Sequence, residues 1–158
     1  MDGFLLFYDE SMIEIKRIEV KEYSEQLIEL SKVWVKEEIT NGLVPNTIDD
    51  LKEPCYAAFD GDKIIGYTFG HYYDADKKIN TIKEGDKCFE IDEIYVLEEY
   101  RSHSIGAKLF TAIEKEVSKE VKYITLPTST KDYKKILHFY IELMDMTFHS
   151  AFLYKKTK

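Results

Sequence analysis

Residues 90–110 read EIDEIYVLEEYRSHSIGAKLF, and this stretch decides the fold. Cys88 to Leu97 is rich in β-branched and aromatic residues and predicts a strand. Glu98-Glu99-Tyr100-Arg101 breaks it. From about Ser104 to Lys119 the apolar positions Ile105, Leu109, Ala112, Ile113 and Val117 recur at helical spacing, which predicts a helix with one buried stripe. Between strand and helix lies a short turn whose Ser104, Gly106 and Ala107 are small. Free backbone N–H groups at a helix start, with the helix dipole behind them, make an anion site. Small residues let a phosphate approach closely, and Arg101 brackets the turn with a positive charge. The same glycine also suits a turn whose only task is packing, and the local pattern leaves both readings open.

Working outward, Met12 to Ile18 is a β-prone run and a first strand. Ser24 begins a helical pattern through Leu27, Ile28, Leu30, Val33 and Trp34, expected to end near Thr40 at Asn41-Gly42. Thr47 is placed to cap a short helix through Asp49, Asp50 and Leu51, ended by Pro54. Cys55 to Phe59 and Lys63 to Tyr73 form a hairpin about Asp60-Gly61-Asp62. Asp74 to Asp86 is a polar loop. Val121 to Leu126 is a short strand, Lys131 to about Leu143 a helix, and Met146 to Lys155 a last strand or hairpin. The order β-α-α-β-β-β-α-β-α-β(β) is an α/β (α+β) fold on one mixed sheet.

The chain has 158 residues and a net charge of −8, with a pI of about 5.1, which argues against a nucleic-acid binder. No apolar run reaches the roughly 18 residues of a membrane span. The two cysteines, Cys55 and Cys88, are too few for a disulfide framework or a zinc site, so the expected setting is cytoplasmic. The expected organisation is an extension over residues 1–11 and one domain over residues 12–158. The extension lacks a basic start and a cleavage site, and a short edge strand is the competing reading for it.

The stretch Ile94-Tyr95-Val96, Tyr100 and Arg101-Ser102-His103-Ser104-Ile105-Gly106 resembles the acetyl-CoA-binding motif of the GNAT superfamily of N-acetyltransferases. That motif reads Arg/Gln-x-x-Gly-x-Gly/Ala after a strand ending in Val. The element order is similar to the family's from Met12 to Lys155. Ile136-Leu137-His138-Phe139-Tyr140 resembles its second motif, and Ile64-Ile65-Gly66-Tyr67 its hairpin strand. Ser104 stands where the family's first motif glycine stands.

The resemblance implies a GNAT-like domain with a mixed sheet of about six to seven strands and about four helices. It implies acetyl-CoA as cosubstrate and no metal. Its pyrophosphate would lie on the turn Arg101, Ser102, His103, Ser104, Ile105, Gly106 and Ala107. Its pantetheine would run along Ile94, Tyr95 and Val96, whose backbone would also polarise the thioester carbonyl. Tyr140 would sit beside the sulfur as acid, a core tyrosine being the competing reading.

An amine attacking a thioester needs a base. Side-chain alternation puts Glu90 and Asp92 on the face of Ile94 and Val96, and Glu93 on the other face with Phe89 and Ile91. The resemblance implies a base at the position of Glu90 or Asp92, on that one face, which ranks Asp92 first, Glu90 second and Glu93 third. Solvated strand carboxylates are the competing reading. Cys88 shares the parity of Asp92 and offers a minor acetyl-cysteine route. The four histidines, His71, His103, His138 and His149, show no metal-ligand spacing.

Glu37, Glu38, Asn41 and Val44 would line the acceptor side. The expected partner is a small-molecule or peptide amine, with no nucleic acid and no membrane; a homodimer is common in the family. Two functions fit: N-acetyl transfer to a primary amine by direct attack in a ternary complex, or an acyl-CoA-binding module of the same fold without turnover.

Overall fold

The computed structural model describes residues 10–158. The expected extension over residues 1–11 therefore lies almost wholly outside the described residues. After a 3-10 turn at Glu10–Met12 come β1 (Ile13–Ile18), α1 (Val20–Lys36), β2 (Cys55–Asp60), β3 (Lys63–Asp74), β4 (Lys87–Val96), α2 (Ile105–Val117), β5 (Tyr123–Thr125) and α3 (Tyr133–Leu137). α3 widens into a π-helical segment, His138–Leu143. One mixed sheet runs β1-β2-β3-β4-β5. The first four strands are antiparallel, and β5 lies parallel to β4.

The sheet separates two helical layers. On one face Tyr95 stacks on Trp34 of α1, and Phe59 meets Tyr23 edge-on. On the other, Phe89 and Ile91 pack with Phe110, Ile113 and Val117 of α2. The α2 stripe is the one its spacing predicts, and its members Leu109, Ile113 and Val117 are wholly buried. Two glycines of β3 let the strands close up. A Cβ at Gly66 would stand 2.8 Å from the Tyr95 carbonyl oxygen, and one at Gly70 would overlap the Glu90 carbonyl.

Several expectations need correction. The described residues form five strands, not six or seven, and three α-helices, not four. The short helix at Thr47 is a single 3-10 turn, Ile48–Asp50, closed by a capping box in which the Asp50 carboxylate accepts from the Thr47 N–H. α1 begins four residues before Ser24, at Val20, whose side chain is buried and whose N–H donates to Glu53. It ends at Lys36 rather than at Asn41-Gly42, because Glu38 takes the left-handed conformation that stops a helix, φ 55°. Met146–Lys155 forms no strand. The Met146 N–H is bonded to the Tyr140 carbonyl, and beyond it every residue is exposed. β-propensity needs a neighbouring strand to be realised, and this segment has none among the described residues.

Candidate active site

The turn before α2 is built on two left-handed residues, Ser102 (φ 66°) and Ser104 (φ 61°). They bring the chain round so that α2 starts with its first N–H groups facing outward, without helical acceptors of their own. The Ser104 hydroxyl makes no cap bond, contrary to the role a serine invites there. Ile105 is buried and anchors the turn, while Gly106 and Ala107 are half-buried. A Cβ at Gly106 would make ordinary contact with the Phe139 ring, at 3.6 Å. A shallow groove of about 350 Å³ continues from Ser104 and Ala107 along α2 past Lys108 and Lys115. Outward N–H groups, small residues and two lysines suit the phosphates of a nucleotide cosubstrate.

The turn opens onto an unusual strand edge. β4 pairs with β5 only at Cys88–Glu90, so from Ile91 to Val96 its β5 side has no strand partner among the described residues. The backbone edge there is free to receive an extended ligand as a strand would. Beside it, Phe69 pairs with Glu93 and Gly70 with Ile91, which leaves Asp92 as the extra residue of a β-bulge.

The bulge overturns the simple alternation. Before it, Phe89 and Ile91 face α2; after it, Glu93 and Tyr95 face α1. Glu93 is therefore not on the face of Phe89 and Ile91, as parity demands. Its Oε2 accepts from the Tyr67 hydroxyl at 2.6 Å and from Asn46 Nδ2 at 2.8 Å. Burial raises the Glu93 carboxyl above its usual range, and these two donors oppose the shift. Asp92 leans to β3, where His71 Nδ1 lies 2.9 Å from its carboxylate. Glu90, opposite His71 in the register, completes a trio whose ligand-type atoms lie within 4.8 Å of one another.

The model of the acetyltransferase (GNAT) family matches residues 12–144. The chain belongs to the GNAT acetyltransferase family. Solved structures with the same fold include an aminoglycoside acetyltransferase from an uncultured soil metagenomic sample in complex with trehalose. That protein is 18% identical, with 94% of this chain and 98% of that chain covered and a TM-score of 0.65. The aminoglycoside N-acetyltransferase AAC(6')-Iy in complex with CoA is 15% identical, with 92% and 99% covered and a TM-score of 0.63. A predicted acetyltransferase with acetyl-CoA from Clostridium acetobutylicum is 17% identical, with 92% and 96% covered and a TM-score of 0.64. Among curated proteins no sequence match is found.

In this GNAT domain Arg101 is turned away from the cradle. Its Nε–H donates to the Val96 carbonyl at 2.9 Å, its Nη2 pairs with Glu37 at 2.6 Å, and its guanidinium lies 5.5 Å from the Tyr95 ring centre. Glu37 also accepts from the Tyr95 hydroxyl at 2.6 Å. Glu37, expected on the acceptor side, is thus a tie between α1 and the start of the GNAT motif. Glu38, Asn41 and Val44 are exposed. The Asn41 N–H donates to the Ser129 carbonyl and the Lys131 N–H to that of Ile39, so this loop closes against the segment after β5.

Tyr140 is buried in the π-helical segment, with rings of Phe110 and Phe139 beside it. Burial alone raises its hydroxyl well above the ordinary range. Cys88 is wholly buried and its Sγ faces the Asp86 carbonyl, which leaves an acetyl-cysteine route without access. Burial holds the Cys55 thiol up at about 12. A cavity of about 520 Å³ is bounded by Tyr72, Lys87 and Glu120 at the far end of the sheet, away from the cradle.

Sequence reading passed over His71 and Asn46. His71 carried no spacing signal, since its partner lies 21 residues away across a bulge. Asn46 reads as a loop polar residue, yet it is buried, its N–H bonded to Ser31 and its amide to Glu93.

Proposed function

We propose that the protein transfers acetyl from acetyl-CoA to a primary amine, by direct attack in a ternary complex. The observation that carries this reading is the unpaired edge of β4, Ile91 to Val96, running from the cradle at the start of α2 to the carboxylates of the bulge. Backbone N–H groups from His103 to Ala107 hold the pyrophosphate, with Ser102 shaping the turn. The Ile94–Val96 edge holds the pantetheine and polarises the thioester carbonyl as an oxyanion-type donor. Arg101 acts here through Val96 and Glu37, fixing the strand end.

Glu90, Asp92 and Glu93 face the α1 side together, which suits a cationic acceptor and gives its ammonium somewhere to lose a proton. Asp92 and Glu90 have water access; Glu93 is engaged by Tyr67 and Asn46. Tyr140 is the acid for the leaving thiolate. The Phe110 and Phe139 rings flank it, and in this apolar setting its hydroxyl stays protonated. Aminoglycoside enzymes and a ribosomal-protein-alanine N-acetyltransferase both stand among the similar structures, which suits a small-molecule or a peptide amine.

The test is an acetyl-CoA-dependent thiol-release screen over polyamines, amino acids, aminoglycosides and peptides, beside calorimetry with acetyl-CoA. Turnover with an amine supports the reading. Binding without thiol release from any acceptor makes the protein an acyl-CoA-binding module, and no binding removes the cosubstrate.

A further inference from the structure

We propose that His71 takes the proton from the attacking amine and that Asp92 holds it for that task. The proposal rests on the acetyltransferase reading above and names the base within that site.

His71 Nδ1 stands 2.9 and 3.0 Å from the two Asp92 oxygens. A carboxylate accepts only, so it fixes the proton on Nδ1 and leaves the Nε2 lone pair outward. The side chain is 45% exposed, so Nε2 is open to an acceptor in the cleft. The pair exists because of the bulge. Asp92 is the residue that the ladder leaves out, and it leans across to β3 instead of pairing.

The other groups about the ring are known. Glu90 lies opposite His71 on β4, within the same trio. Glu93, farther along β4, is occupied by Tyr67 and Asn46; Asp50, from the turn after α1, acts on Glu93. The Tyr73 ring is 5.9 Å away, and its hydroxyl is bonded to Thr125. An imidazolium formed at His71 is thus flanked by the carboxylates of Asp92 and Glu90.

Chemistry favours the imidazole over a lone carboxylate. An unperturbed carboxyl group titrates near 4 and an alkylammonium near 10, a gap of about six units, whereas imidazole at about 6.5 narrows it. In the step, the ammonium gives one proton to Nε2. The amine lone pair then forms the N–C bond to the thioester carbonyl. The C–S bond breaks with its electron pair on sulfur, and the second nitrogen proton is balanced by the proton the thiolate takes up. The imidazolium returns its proton to water.

The test compares His71→Gln, Asp92→Asn and the double variant, using the amine that the wild type turns over best. His71→Gln is expected to lower kcat/KM by about 10²–10⁴-fold and to move the acidic limb of the pH profile up towards the amine's own pKa. Acetyl-CoA affinity should be unchanged. Asp92→Asn should cost a similar factor, and the double variant little more than either, because the two act as one unit. Nitrogen NMR of the free protein should find His71 in the Nδ1–H form, and Asp92→Asn should shift that tautomer.

Turnover by His71→Gln with an unmoved acidic limb overturns the proposal and leaves the acetyltransferase reading intact. So does a neutral His71 carrying its proton on Nε2. Wild-type protein that binds acetyl-CoA and acetylates no amine overturns both.

Discussion

Replacing Ser104 with glycine should stabilise the fold and leave acetyl-CoA binding intact. Ser104 sits at φ 61°, a left-handed conformation that costs a non-glycine residue about 1–2 kcal/mol. Glycine removes that cost and adds unfolded-chain entropy worth about 0.4–1 kcal/mol against the fold. The hydroxyl makes no cap bond, so no hydrogen bond is lost there. The balance is a gain of roughly 0–1.6 kcal/mol, centred near 0.8. For a chain of this size the centre is a rise of roughly 2–3 °C in Tm. Ser102, at φ 66°, should respond in the same direction. Ser118, the right-handed C-cap of α2 at φ −60°, supplies the control of opposite sign, since Ser118→Gly has no strain to relieve. The assay is urea unfolding with the slope held common, beside calorimetry with acetyl-CoA. A loss of stability in Ser104→Gly as large as in Ser118→Gly would refute the strain account. A tenfold weaker acetyl-CoA complex in a more stable variant would make the Ser104 hydroxyl a phosphate ligand.

Gly106→Glu should abolish acetyl-CoA binding in calorimetry while the protein remains folded. A Cβ there makes ordinary contact with Phe139, and a carboxylate at a helix start suits the dipole but repels a pyrophosphate. Tyr140→Phe should cut kcat by about 10²–10⁴-fold with acetyl-CoA affinity unchanged; normal turnover would make Tyr140 a core residue only. Glu93 has a raised folded pKa, so its ionised form is disfavoured by folding, and its contribution is lost as pH climbs from the usual value of 4.5 through the raised one. Glu93→Gln, whose amide oxygen can accept from Tyr67 and Asn46, should therefore gain Tm relative to wild type as pH rises through that range. A difference that stays flat with pH would contradict it. Gly70→Ala should destabilise by about 2 kcal/mol or more in the same unfolding assay, since its Cβ overlaps the Glu90 carbonyl; an unchanged midpoint would mean the bulge yields freely.

The parts legible in advance were those that depend on short-range order. The α2 stripe, the two-residue hairpin turn at Gly61-Asp62 and the strand before Arg101 are all periodic or turn signals, and each appears within a few residues of its expected place. The cradle was legible for the same reason, as small residues between a strand and a helix. The carboxylates were read as a set but assigned to the wrong faces. Alternation counts residues, and a bulge inserts one without any mark in composition, so Glu93 and Phe89 were placed together when they lie on opposite sides of the sheet. The expected strand at Met146–Lys155 failed differently, since its residues favour extended chain but no neighbour offers a ladder.

By itself, then, the sequence determined the order from β1 to α3, apart from the helix expected at Thr47, the GNAT-like turn Arg101 to Gly106 and the chemistry available near it, because helix period, strand composition and turn residues act over one to four positions. Only the tertiary structure decided that His71 meets Asp92, that Asn46 and Tyr67 hold Glu93, and that Arg101 leaves the cradle for Glu37. Those contacts join residues 21 to 64 positions apart. They are set by strand register, the bulge and the docking of α1 on the sheet, which depend on how the whole chain packs.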